Sequence, residues 1–343
     1  MPISDRENFL RAIEFRYPEW IPVGANSLRA TWAKYREDLE DLYIRHPKIF
    51  GNYERGSYNW NNFEPAYTEG EYYTDEWGCV WHNLQTGLLG QCVGHPLADW
   101  SAFDNYQAPD PISGTDWEQH KRNVAENKTR GELTMGYGGT LFDLLYALRG
   151  FENLMMDFAT DEPRLPELIQ MVQNYNLKKI EKFTGAGVDV INFHGDIGTQ
   201  RGPMISPAAF RKYVKPWYKT IWQACRQGGA HVYYSCDGNL LSLVDELIEC
   251  GMTLHDPQSR ANTLEGIRDT YIGKVCFKLD LDQQVIMPFG TPAEVKSYIK
   301  HAVNMLNDPK GGFMIMFEVQ PAYPLENIEA ACEVLEEVCL ANM

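Results

Sequence analysis

The sequence predicts an α/β fold, a (β/α)8 TIM barrel with an N-terminal aromatic-rich insertion of short strands, on three observations. Short apolar runs with strand character, each ending in a polar tip and followed by a helical pattern, recur at a spacing of about 25–40 residues, the pattern of parallel βα units. No glycine-rich phosphate loop of the GxGxxG or GxxxxGK[ST] kind follows any of them, so a nucleotide-binding doubly wound sheet is the weaker choice. Between residues 51 and 119 the texture changes to aromatic, glycine- and asparagine-rich sequence. The chain is therefore read as one barrel domain, 1–343, with 51–119 as an insertion or cover lobe.

Ser4-Asp5-Arg6-Glu7 is a capping box, and Phe9, Leu10 and Ile13 form the apolar stripe of a first helix. Pro18-Glu19-Trp20 ends it, and residues 21–25 make a first strand. Residues 30–50 return to helical periodicity. Within the insertion, residues 71–83 (EYYTDEWGCVWHN) form the clearest hairpin, with Gly70 and Gly78 at turns. A helix over 116–128 precedes a strand over 133–139. Helices follow over 141–149 and from Pro163 to about Phe183. The alternation then becomes regular. Strands are expected at 188–193, 231–234, 252–254, 275–279 and 313–317, each followed by a helix. Ser206-Pro207 and Thr291-Pro292-Ala293-Glu294 supply helix starts.

The 343 residues carry 31 basic and 47 acidic side chains, a net charge of -16, which disfavours nucleic acid and anionic membrane as partners. No apolar run approaches the roughly 18 residues that would span a bilayer. The N-terminal residues carry acids and a helical pattern, unlike a signal peptide. Eight scattered cysteines without a CxxC pair fit reduced thiols in a cytoplasmic protein.

Chemistry-bearing residues collect at the C-terminal ends of the expected strands: Asp196, Cys236, Asp237, His255, Asp256, Asp280, Asp282 and Glu318. In a barrel such tips face one basin. Six of the eight are carboxylates, which suits a metal site or a basin in which one acid is held protonated by its neighbours. Each has a plainer reading. Asp237, Asp256 and Asp282 sit where an N-cap would. Cys236 at a strand end is commonly a small buried side chain. His194 and His255 are single histidines of a kind that is usually structural. Glu318 is harder to dismiss, because it follows a strongly apolar strand. His231 starts its strand, at the opposite barrel end, and is excluded.

The chain resembles the uroporphyrinogen decarboxylase superfamily, and within it the corrinoid-dependent methyltransferase branch. The matching pieces run in order. Residues 6–13 and 18–23 resemble the opening helix and first strand. Asp75-Glu76-Trp77-Gly78 is similar to a hairpin of that branch. Gly195-Asp196-Ile197-Gly198-Thr199-Gln200 with Ile205-Ser206-Pro207, and Ser235-Cys236-Asp237-Gly238-Asn239, resemble two of its loops. Asp282-Gln283 with Pro288-Phe289-Gly290-Thr291-Pro292, and Pro324-Leu325-Glu326-Asn327-Ile328, fit its last segments. There are departures. The decarboxylases carry an arginine-rich segment after the first strand, where Gly24 to Arg29 here holds one arginine. Thiol-activating members bind zinc through a His-x-Cys pair and a later cysteine, where Tyr234 and Phe317 stand here.

The resemblance implies a methyltransferase that moves a methyl group from a methoxylated aromatic compound to the cobalt of a corrinoid (cobalamin) carried by a separate partner protein. A methyl group on oxygen leaves poorly unless the oxygen is neutralised by a proton or a Lewis acid. Asp196, Asp237, Glu318 and His255 are accordingly expected to act in catalysis, and Tyr234, Asp280, His194 and Trp77 to contact substrate. Cys236, Asp237 and Glu318 are an alternative zinc-ligand set. The family's habit is a monomer or homodimer. A decarboxylase acting on another substrate and a non-catalytic small-molecule-binding barrel are the competing readings.

Overall fold

The computed structural model describes residues 3–343. Seven strands share the main sheet: β1 (Val23–Ser27), β2 (Met135–Thr140), β3 (Val190–His194), β4 (His231–Ser235), β5 (Leu254–His255), β6 (Cys276–Asp280) and β7 (Phe313–Val319). Their order across it is β1-β7-β6-β5-β4-β3-β2, so each strand from β2 to β7 neighbours the next in the chain. Successive βα units give this order, and the fold is TIM-barrel-like α/β. The sheet has seven strands and not the eight expected. The chain between β1 and β2 builds a separate small sheet from Tyr72–Thr74, Val80–His82 and Gln91–Gly94. The expected 71–83 hairpin supplies two of its strands, and its turn is closed by Asp75, whose carboxylate accepts from the Trp77 and Cys79 amides at 2.9 Å.

The chain packs as two units. One comprises the chain up to Leu10, Thr74–Cys79 and Gly94–Pro257, and holds β2 to β5. The other comprises Arg11–Tyr73, Val80–Val93 and Gln258–Met343, and holds β1, β6 and β7. The aromatic-rich stretch 51–119 contributes to both.

In the first unit β2, β3 and β4 pair in parallel, with Thr140 opposite His194 and His194 opposite Ser235. Val190, Ile191, Phe193 and Val232 are fully buried. Burial on both faces is the usual condition of a parallel strand, and β-branched and aromatic side chains suit it. His231 pairs with Val190 at the strands' N-terminal ends, as its exclusion from the site requires. In the second unit β1 and β6 flank β7 in parallel, and Asn26 lies opposite Glu318.

The helices used below are α1 (Asp5–Ile13), α2 (Arg29–Arg45), α3 (Trp117–Thr129), α4 (Phe142–Arg149), α5 (Phe151–Thr160) and α6 (Leu165–Ala186). Expected caps are present. Ser4 Oγ accepts from the Glu7 amide at 3.2 Å, Ser206 Oγ from the Ala209 amide at 3.1 Å, and Thr291 with Glu294 forms a complete capping box. α5 is a helix that the sequence reading passed over, because only Gly150 separates it from α4. The helix expected from Leu240 starts only at Val244. All eight cysteines are free. Among the described residues no helix is long and apolar enough to cross a membrane.

Two buried ion pairs fasten the first unit. Asp189, just before β3, accepts from Arg6 of α1 at 2.7 and 3.0 Å and from Thr134, and Lys128 of α3 lies 3.0 Å away. Burial alone would raise its pKa, but these donors outweigh burial and hold the carboxyl at about 2. A depressed carboxylate stabilises the fold above its unfolded pKa of about 3.9, and that contribution is lost as pH falls towards 2. Asp189→Asn should therefore cost about 2 kcal/mol at pH 7. Urea denaturation at pH 7 and at pH 2.5 should show the gap between variant and wild type shrinking in acid; an equal gap at both pH values refutes this account.

The second pair is Arg149–Asp157, joining the end of α4 to α5. Arg149 and Asp157 are 3% and 5% exposed. Arg149 meets both carboxylate oxygens, at 2.8 and 3.2 Å, donates to the carbonyls of Leu97 and Ala98, and lies 4.0 Å over the ring of Trp100. One guanidinium thus fixes segment 97–100 onto α4.

Candidate active site

The polar tips of the first unit gather around the loops after β2, β3 and β4. Asp143 lies in the first turn of α4, directly after β2. Its carboxylate accepts from the Asp196 amide at 3.1 Å and from Thr140 Oγ1 at 3.1 Å. Asp196 in turn accepts, through Oδ1, from the Asp237 amide at 2.9 Å. Two of the three acids are thus held by main-chain N–H groups from neighbouring loops. Burial and the neighbouring Asp196 raise the Asp143 pKa to about 6, so its proton is available near neutral pH. Asp196 and Asp237 are exposed.

Beside these acids stand Tyr137 and His194. Tyr137, on β2, is 44% exposed, and its ring lies 5.6 Å from that of His194. Burial lowers the His194 pKa, against the pull of Asp196, which favours the neutral imidazole. The cluster therefore offers a proton donor, two exposed carboxylates, a neutral histidine and an exposed aromatic ring.

Backbone packing sets the loops. Gly198 lies against the Asp237 carbonyl and Gly238, leaving no room for a Cβ at either glycine, and the Asn239 amide donates to the Thr199 carbonyl at 2.7 Å. Gly238 also has φ +86°. The glycines of the two motifs are thus explained by close approach. α-Helix formation begins seven residues after Asp237, which removes the N-cap explanation for that residue.

Other expected members take different positions. His255 is the last residue of β5 and lies inside the strand, 0% exposed and stacked on Tyr234. Burial drops its pKa to about 3, so it stays neutral at physiological pH, and its expected acid–base role gives way to a packing role. Tyr234 is also 0% exposed. Its hydroxyl donates to the Gly195 carbonyl at 2.6 Å and accepts from Tyr218 at 2.8 Å. It braces the loop that carries Asp196 and presents no surface to a substrate. Trp77 is buried against Tyr175, and its carbonyl accepts from Tyr106 at 2.6 Å; it anchors the hairpin. Asp256 accepts from Tyr233, Ser235 and the Cys236 amide, and so ties β4 to β5.

The second unit holds Asp280, Asp282 and Glu318. Asp282 accepts from the amides of Gln284 and Val285 and so closes the turn before the helix Ile286–Phe289, whose N-cap is Val285 and not Asp282. Asp280 accepts from Gln283 at 2.8 Å, and Gln283 also binds Gln320. Glu318 accepts from Asn26 at 3.3 Å. Tyr323 packs among these acids, and burial, reinforced by their charge, raises its hydroxyl pKa. Lys278 is a buried cation on β6, beneath Gly24.

Sequence reading missed Asp143, Tyr137 and Lys278. Asp143 escaped because only residues at strand ends were considered, and it lies one step further, in the first helical turn. Lys278 had a signal, since a lysine interrupts the apolar run Cys276-Phe277-Lys278-Leu279.

The zinc-ligand set does not fit. Among the described residues no group of three His, Cys, Asp or Glu side chains could hold a metal ion. Cys236 is 2% exposed, its thiol donates to the Asp237 carbonyl, and burial pushes its pKa well above the ordinary thiol range.

A TIM-barrel-like fold with an acid relay on its βα-loops defines a class in which chemistry sits on loops at the strand tips. The chain belongs to the uroporphyrinogen decarboxylase (URO-D) family, whose sequence profile matches residues 92–338. No curated protein gives a significant sequence match. Among solved structures, a methyltransferase from Methanosarcina mazei aligns with 98% of this chain and 99% of its own, at 13% identity and a TM-score of 0.65. Xylanase 10B from Thermotoga maritima aligns with 98% of each chain at 10% identity and a TM-score of 0.44. At 13% identity the likeness to the methyltransferase concerns the fold alone.

Proposed function

We propose that the protein is a methyltransferase that takes a methyl group from a methoxylated aromatic compound and delivers it to the cobalt of a corrinoid on a separate protein. The observation that carries this reading is the Asp143 carboxyl, raised to about 6 beside the exposed Asp196. As the methyl–oxygen bond breaks, its electron pair stays on oxygen. Asp143 supplies the proton that turns the departing oxygen into a neutral hydroxyl. The methyl group passes to cobalt(I), which provides the electron pair of the new bond. Asp196 shapes the acid's surroundings by raising the Asp143 pKa, and its carboxylate, gripped by the Asp237 amide, joins the two loops. The exposed ring of Tyr137 suits an aromatic substrate. The likeness in fold to a methyltransferase supports the same reading, and the single arginine in residues 24–29 speaks against a substrate with many carboxylates.

The test mixes the protein with a reduced corrinoid protein and a panel of aromatic methyl ethers, and follows the cobalt absorption spectrum. A change with at least one ether is expected. Carbon dioxide release from carboxylic acids without a corrinoid, and no spectral change with any ether, would favour a decarboxylase. Asp196→Asn, which removes the charge that helps raise the Asp143 pKa, should lower transfer and leave the circular dichroism unchanged. A wild-type rate and pH profile in this variant would remove Asp196 from the site.

A further inference from the structure

A groove of about 410 Å³ in the second unit is built from parts that the proposed reaction does not use. Its walls include Arg36 of α2, Trp60, Asn61, Asn62, Phe63 and Thr86. Three features shape it. Arg36 adopts φ 48° and ψ -120° in the middle of α2, a conformation that non-glycine residues rarely occupy, and breaks the helix there. Asn83, 2% exposed, donates to the carbonyls of Ala66 at 2.8 Å and Leu88 at 2.6 Å, locking the loop that carries Thr86 onto residues 66–68. Trp60 stacks parallel to Trp32 at 6.3 Å, which fixes its ring.

The charges near it are distributed unevenly. Arg29, Arg45 and Arg55 each bind a carboxylate, from Glu64, Glu329 and Asp41. Arg36 donates to the Ala33 carbonyl at 3.4 Å, and among the described residues no carboxylate lines the groove. A single guanidinium matches one carboxylate in a forked pair. Aromatic walls match a ring, and the neutral amides of Asn61 and Asn62 match its polar substituents. The volume falls within the range of small-molecule pockets.

We propose that this groove is a binding site for a small aromatic carboxylate, and that the strained backbone at Arg36 is retained because it aims the guanidinium into the groove. Calorimetric titration of the full-length protein with benzoate tests it. Benzoate should bind, benzamide should bind at least about tenfold more weakly, and Arg36→Met and Trp60→Ala should each weaken benzoate at least about tenfold. Arg36→Gly, which relieves the strain, should raise the thermal midpoint while losing benzoate. No binding by the wild type at about 10 mM benzoate, or affinity within about twofold of wild type in both Arg36→Met and Trp60→Ala, overturns the proposal. A lower midpoint in Arg36→Gly overturns the role assigned to the strain.

Discussion

Asp143→Asn is expected to lower methyl transfer by about 10²–10⁴-fold, because it removes the proton that the leaving oxygen needs. The same substitution should stabilise the protein at neutral pH. The folded-state pKa of Asp143, about 6, lies above its unfolded value of about 3.9. Below pH 4 the group is protonated in both states and contributes no difference. Between about pH 4 and 6 the unfolded chain gives up this proton while the folded protein holds it, so stability falls, by about 2 kcal/mol in all, and levels off above about 6. Asparagine is spared that cost and keeps a carbonyl to accept from the Asp196 amide. Urea denaturation at pH 4 and pH 7.5 should therefore show a stability gain for the variant only at the higher pH. The wild-type rate should decline above pH 6 as the proton is lost, and this limb should be missing from the residual activity of the variant. A variant within about threefold of the wild-type rate would show that another group donates the proton.

The second large effect is structural. Asp157→Ala should destabilise the protein by about 3–5 kcal/mol, since it strands the buried Arg149 guanidinium without its counter-charge. Exchange of backbone amides should rise first in residues 97–105 and at the end of α4, where Arg149 holds the carbonyls of Leu97 and Ala98. Asp143 sits at the other end of that helix, so a loss of activity at temperatures below unfolding is also expected. Equal denaturation midpoints for variant and wild type would show that the pair contributes nothing net.

Much of this architecture could be read from residue order. Parallel strands buried on both faces leave runs such as Val190-Ile191-Asn192-Phe193, and helix starts such as Thr291-Pro292-Ala293-Glu294 are local chemistry, so both are legible. Strand ends were less so. β3, β4, β6 and β7 each run one or two residues beyond expectation, because pairing with a neighbour extends a strand past its apolar core, and the sequence does not show the neighbour. The same shift misplaced His255, which looked like a loop residue and is the last, buried residue of β5. The site was legible in its chemistry and not in its membership. A carboxyl with a raised pKa was foreseen among the strand-tip acids, and Asp196 and Asp237 do lie together. The acid that burial selects is Asp143, and only the folded arrangement shows that the Asp196 loop covers it.

The relay Asp143–Asp196–Asp237 is strung on amide N–H groups of the chain itself. Placement of the reactive acid and choice of the substrate are thereby handled by different materials. Main-chain contacts survive most side-chain replacements, so residues such as Tyr137 are free to change without displacing the acid. On the proposed reaction, a protein built this way can acquire new methyl donors by drift at its rim while its proton-donating chemistry stays constant.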